Sequence, residues 1–180
     1  MKIYFLKIVL RGVSPMIWRR IRIPGNTSLA QLHHIIQIVN NWDDEYLHQF
    51  HIYGKDYGIS YIGGIVFSDN ARQVFLDDFY FDSGDKFIYE YNFFNHWIVD
   101  IRIENIKELS LQSSAFCIKG NGMPGASKYD EVEPTLNLLK AIVNADEKTT
   151  FSDIQPLVDA LNAVRFNRRL INNQLKTEII

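Results

Sequence analysis

The chain has 180 residues and a mass of 21.0 kDa, with 47% apolar, 13% aromatic and 22% charged residues. This is ordinary globular composition for about one domain, and the aromatic content excludes a disordered chain. A net charge of −2 and a pI near 6.2 lack the strongly basic balance of a whole-protein nucleic-acid binder, and one cysteine excludes an internal disulfide and a cysteine-cluster zinc site.

No apolar run reaches the roughly 18 residues a membrane helix needs, so no membrane association is expected. The opening MKIYFLKIVLRG is interrupted by Lys7 and carries no small-residue cleavage site. It reads as a strand and not as a signal peptide, and the cytoplasm is the expected compartment. Charge is unevenly placed. Residues 1–42 carry six bases and no acid, whereas residues 43–108 carry thirteen acids against five bases. The simpler reading is that the basic end pairs with the acidic middle of its own chain, with phosphate contact as the alternative.

Residues 2–10 alternate so that Tyr4, Leu6, Ile8 and Leu10 form the more apolar side of a strand. Residues 17–23 form a second strand, with Ile17, Arg19, Ile21 and Ile23 on one side and Trp18, Arg20 and Arg22 on the other. The two predict an antiparallel ribbon. Ser28 and Gln31 make a capping box for a helix over 28–40, whose core face is Leu32, Ile35, Ile36 and Val39. Strands are expected at 48–53 and 57–62, and a hairpin joins 86–93 to 97–104 through Phe94, Asn95 and His96. A Gly-, Asn- and Pro-rich loop is expected from Gly120 to Ser127. Two helices follow, at 134–145 and from a second capping box at Ser152 to about Asn172. The expected architecture is one α+β domain over 1–180. Residues 1–118 supply a mixed or antiparallel sheet with the first helix on one face, and 128–175 a helical C-terminal part.

His33 and His34 lie on the first helix, His48 and His51 on opposite sides of a strand, and His96 in the hairpin turn. Adjacent imidazoles on a helix diverge by about 100° and are not expected to chelate together. His33 and His48 meet a shared carboxylate only if the helix packs on that strand. No HExxH-type spacing is present, so no metal, cofactor or catalytic residue is assigned. The runs Asp43-Asp44-Glu45 and Asp77-Asp78 read as solvated acids, and Cys117 as a small buried hydrophobe. Trp18, Trp42 and Trp97 each fall at the end of an element, and part of the aromatic surplus is a candidate groove lining.

The stretch Gly12-Val13-Ser14-Pro15-Met16-Ile17-Trp18-Arg19-Arg20-Ile21, with Leu32-His33, Trp42 and Leu47-His48-Gln49-Phe50, resembles the plasmid pRiA4b ORF-three-like family. Gly84-Asp85-Lys86-Phe87, Tyr89-Glu90-Tyr91, Trp97 and Phe166-Asn167-Arg168-Arg169-Leu170 fit it too. The resemblance implies an α+β domain of a kind widespread in prokaryotes and brings no established activity with it. The family's usual Tyr-Asp-Phe-Gly-Asp-x-Trp-x-His is here Tyr91-Asn92-Phe93-Phe94-Asn95-His96-Trp97-Ile98-Val99, with both acids replaced by amides and the histidine by valine. Asn92 and Asn95 retain turn-forming ability without charge, and Phe94 is expected to narrow a pocket closed by Trp97.

The candidate binding constellation is Arg19, Arg20, His33, Trp42, His48, Asn92, Asn95 and Trp97. The reading favoured is a non-catalytic binding or protein-interaction module with a protein or small-molecule partner, with a mobile-element or accessory gene as its expected origin. The alternatives are a metal-dependent hydrolase around His33, His48 and an acid, and a nucleic-acid binder using Lys7, Arg19, Arg20 and Arg22.

Overall fold

The computed structural model describes residues 1–14, 16–60, 66–109, 113–122 and 166–179. In chain order the elements are β1 (Lys2–Leu10), β2 (Trp18–Pro24), α1 (Leu29–Asn40), β3 (His48–Ile52), β4 (Lys55–Tyr57), a 3-10 turn (Leu76–Phe79), β5 (Lys86–Tyr91), β6 (Trp97–Glu108), β7 (Phe116–Asn121) and α2 (Arg168–Glu178). The strands make one seven-stranded antiparallel sheet in the order β4-β3-β5-β6-β1-β2-β7.

Alternation places the sheet. Tyr4, Leu6 and Ile8 of β1 share a face with Ile21 and Ile23 of β2 and with Ile101 and Ile103 of β6, all buried. Across that face lies α1, with Leu32, Ile35, Ile36 and Val39 fully buried in the same cluster. The predicted capping box forms. The Ser28 hydroxyl accepts from the Gln31 N–H at 3.1 Å, and Gln31 Oε1 accepts from the Ser28 N–H at 3.0 Å. Asn41 ends the helix in the left-handed region, φ 53°, where its type is tolerated.

Several expected boundaries are corrected. The strand expected over 57–62 is β4, ending at Tyr57, and residues 61–62 lie outside the described residues. β6 runs past residue 104, because a bulge opposite Phe5 and Leu6 resets the alternation at Glu104. Gly120 and Asn121, expected in a loop, still pair with β2 as the end of β7, and residues 123–127 of that expected loop lie outside the described residues. The helix expected to reach Asn172 from Ser152 does not cross residue 167. Asn167 is extended and caps α2 instead, accepting from the Arg169 and Leu170 N–H groups at 3.1 Å. The helix expected at 134–145 lies outside the described residues. α2 is tied to the edge strand by a two-way bond, with the Asn172 amide accepting from the Cys117 N–H at 2.7 Å and donating to its C=O at 2.9 Å.

No helix among the described residues is long and apolar enough to cross a membrane. The predicted self-pairing of charge is partly realised, since Arg11 pairs with Asp100 and Arg20 with Glu104.

Candidate functional site

On the helix-covered face, His33 and Gln37 lie one turn apart on the buried side of α1, facing Tyr89 of β5. Beyond the helix, Asn41 and Asp44 both take left-handed backbone, φ 53° and 57°, and fold residues 42–44 back over the helix end. The Trp42 N–H reaches the Gln37 C=O at 2.9 Å, which anchors the turn.

The polar groups brought together form a directed ring of hydrogen bonds. The Asp44 N–H donates to Gln37 Oε1 at 3.1 Å, which fixes the amide so that its Nε2 donates to the Tyr89 hydroxyl at 2.8 Å. The buried Tyr89 O–H then needs an acceptor, and His33 Nδ1 stands 2.8 Å away. This leaves the His33 proton on Nε2, where it donates to Asp44 Oδ1 at 2.6 Å. The ring begins at the Asp44 backbone and closes on its carboxylate.

The electrostatics follow from burial. Burial lowers the His33 pKa against the opposing pull of Asp44, so the imidazole is neutral. Burial likewise pushes His48 down to about 3, and the adjacent His33, which would repel a second imidazolium, adds to the effect. Partial burial disfavours the Asp44 carboxylate, but its His33 hydrogen bond and the neighbouring imidazoles outweigh that and leave its pKa lowered. Tyr89 is held protonated, because burial raises its pKa far above the ordinary value. His48 stacks on His33 with ring centroids 3.4 Å apart and planes 7° off parallel, and its buried Nε2 has no hydrogen-bond partner among the described residues.

The condition for His33 and His48 to meet near a carboxylate is therefore fulfilled, with Asp44 as the carboxylate, although His48 stacks and does not point at it. His33 and His34, adjacent on α1 and not expected to chelate together, both reach the Asp44 carboxylate. Asp44 bridges them, with Oδ2 3.5 Å from His34 Nδ1, and ligand atoms of all three residues lie within 4.8 Å of one another.

Trp42 stacks on Tyr91 at 5.2 Å and meets Trp97 at 5.1 Å. The Tyr91 hydroxyl donates to Asp43 Oδ1 at 3.0 Å. Outside this cluster opens a cleft of about 360 Å³ between the turn after α1 and the end of α2, lined among others by His34, Trp42, Asp43, Asp44 and Glu178.

The remaining expected site residues lie elsewhere. Arg19 is fully buried and donates to the Val39 C=O at 2.7 Å and to the Trp18 and Asn121 C=O groups at 2.9 Å. Arg20 points to the opposite face of the sheet, as strand alternation requires, and does not join the constellation. Gln37, Asp44 and Tyr89 join the site without being among the residues expected from the sequence. The signal for Gln37 was available, since a polar residue four positions after His33 shares its helix face. Asp44 was hidden in an acidic run that reads as solvent. Cys117 is buried as expected, and burial pushes its thiol up to about 11.

A family model described as plasmid pRiA4b ORF-3-like protein matches residues 2–170. The chain belongs to that family. An uncharacterized protein of Sinorhizobium fredii is 31% identical over 103 residues, which are 55% of this chain. The chain spans about half the length of that curated relative, 52%. A crystal structure of a protein of unknown function from Methanosarcina mazei is similar with a TM-score of 0.62 and 27% identity, covering 82% of this chain and 91% of the other.

In this pRiA4b ORF-3-like chain the β5–β6 hairpin closes with amides and no acid at positions 92 and 95. Asn92 is buried at φ 55°, and its C=O accepts from the Asn95 and His96 N–H groups at 3.0 and 2.9 Å. Asn95 is exposed. Phe94 is 92% exposed and narrows no pocket, which corrects the expectation drawn from its place in the motif.

Proposed function

We propose that this chain is a non-catalytic binding module whose cleft between α1 and α2 takes a cationic group, a guanidinium or ammonium presented by a small molecule or a protein partner. The observation that carries the reading is the lining. Asp43, Asp44 and Glu178 supply carboxylates, Trp42 supplies an aromatic wall, and among the described residues no Lys or Arg lines the cleft. An aromatic wall with carboxylates suits a cation with an apolar stem.

The same geometry argues against proton-transfer catalysis. A general base needs a free nitrogen or oxygen near its working pH. His33 has both nitrogens committed, and the Asp44 carboxylate is a weakened base. A cytoplasmic setting accords with this reading.

The test is calorimetric titration with a short Arg- and Lys-containing peptide and with its neutral acetylated and citrulline counterpart. The cationic peptide is expected to bind, and Glu178→Gln to weaken it about tenfold, about 1.4 kcal/mol. Equal binding of the neutral peptide, or no binding of either, contradicts the reading. A second reading has one specific observation behind it, the mutual reach of His33, His34 and Asp44. It takes a divalent transition metal there and requires the His33–Asp44 hydrogen bond to open. Stoichiometric zinc binding abolished by His34→Ala would favour it over the first.

A further inference from the structure

The sheet face turned away from α1 carries an arrangement that folding does not need. The register sets Lys119 of β7 opposite Arg20 of β2, Arg20 opposite Lys7 of β1, Lys7 opposite Arg102 of β6, and Arg102 opposite Lys86 of β5. Directly paired residues share a face, and each of these alternates with a buried core residue or pairs with one that does. Five cations therefore form one row across five neighbouring strands, spanning about 19 Å at ~4.8 Å per strand.

Like charges directly opposite each other destabilise a sheet, and this row contains four such pairs in succession. The carboxylates on the same face over these strands are already bonded. Glu104 holds Arg20, Asp100 holds Arg11, and Glu90 accepts from Gln49 and meets His96. Lys7, Lys86, Arg102 and Lys119 make no ion pair within 4.0 Å among the described residues, and Lys7 and Arg102 share with Arg20 the single carboxylate of Glu104, whose pKa they help to lower. Aromatic rings flank the row: half-exposed Trp18 lies beneath both Lys7 and Arg20, at 5.8 and 5.6 Å, and Phe116 beneath Arg22 at 5.1 Å.

We propose that this face docks a single strand of nucleic acid, with phosphates along the Lys119–Arg20–Lys7–Arg102–Lys86 row and bases against Trp18 and its neighbours. Charge complementarity selects a polyanion. A sheet surface carrying cations and aromatic rings suits an unpaired strand, whose bases are free to stack. Both described helices pack into the core on the other side of the sheet, so neither is placed to enter a duplex groove from this face. The site is on the opposite side of the sheet from the cleft and does not depend on it.

The experiment is fluorescence anisotropy with a labelled single-stranded oligonucleotide of about 12 nucleotides, a length within the site sizes of sheet-based strand binders. DNA and RNA versions are compared, and a duplex of the same length is run beside them. Binding is expected to weaken as salt rises, with a log–log slope of about −3 for four phosphates at ~0.7 each. The double variant Lys86→Gln, Arg102→Gln removes two exposed cations. It is expected to lower affinity at least tenfold at low salt and roughly halve the slope, while the thermal midpoint stays level or rises. His34→Ala, in the cleft, is expected to leave strand binding unchanged, so failure of the cleft reading and failure of this one are distinguishable. Absence of binding at low salt overturns the proposal, as does salt-insensitive binding, tighter binding of the duplex, or a double variant that loses stability without losing affinity.

Discussion

Replacing Arg19 with Met is expected to destabilise the fold by about 2–3 kcal/mol, as one buried and two partly buried carbonyls each lose a donor at roughly 0.5–1.5 kcal/mol. Those carbonyls belong to three elements: Val39 at the end of α1, Trp18 in β2 and Asn121 in β7. Arg19 thus ties the helix to the sheet and the edge strand to its neighbour. A cation is suited to the place, because the last carbonyls of a helix carry partial negative charge. Burial pushes its pKa down to about 10, so it stays charged at neutral pH. The guanidinium also stacks on Phe166 at 4.8 Å, and Gly120 makes room for that stack. A Cβ at Gly120 would come within 2.6 Å of the Phe166 ring and 2.8 Å of Arg19 Cδ. Met keeps the stem and returns the desolvation cost of the charge, but it donates to none of the three. Urea denaturation checks this; a loss below about 1 kcal/mol would show that the charge costs as much as its bonds return.

Ile36→Ala is expected to cost about 2–5 kcal/mol, the range for truncating a fully enclosed aliphatic side chain. Ile36 is fully buried at the centre of the α1 stripe, between the helix and the sheet. Arg20→Met is the contrasting substitution, since a half-exposed ion pair contributes at most about 1 kcal/mol. Equal effects of the two in the same denaturant titration would contradict the placement of the core.

The residues whose burial follows from period alone were legible. The α1 stripe, the face of β1 and the β5–β6 hairpin were each read from alternation or from 3.6-residue spacing, and the Ser28–Gln31 cap fixed where the helix begins. What failed depended on contacts distant in sequence. Alternation put Arg19 beside Ile21 and Ile23, but a charge on an apolar face does not announce that three carbonyls will receive it. The bulge at Glu104 hid the second half of β6, because one inserted residue reverses which side chains face inward. β7 was unread because its partner β2 lies almost a hundred residues earlier. Half of the site was visible in the same way. His33, Trp42, His48 and Trp97 were candidates by type and position, whereas Asp44 entered only through two left-handed residues that turn the chain back on itself.

The reading of the site as one that binds and does not move protons rests on the ring that fixes His33. The pH consequence has a definite sign. His33 and His48 have folded-state pKa values below the ordinary 6.5, so between those values the unfolded chain binds more protons. Their contribution to stability is fully present above pH 6.5 and is lost as pH falls toward about 3, where His48 titrates in the folded protein. Nitrogen-detected NMR of the histidine rings across that range is the most direct measurement. It is expected to show His33 neutral at pH 6.5, with its proton on Nε2 and Nδ1 bare, and His48 uncharged until the protein approaches acid unfolding. A His33 proton on Nδ1, or a His33 ring that charges at its ordinary pKa, would contradict the account.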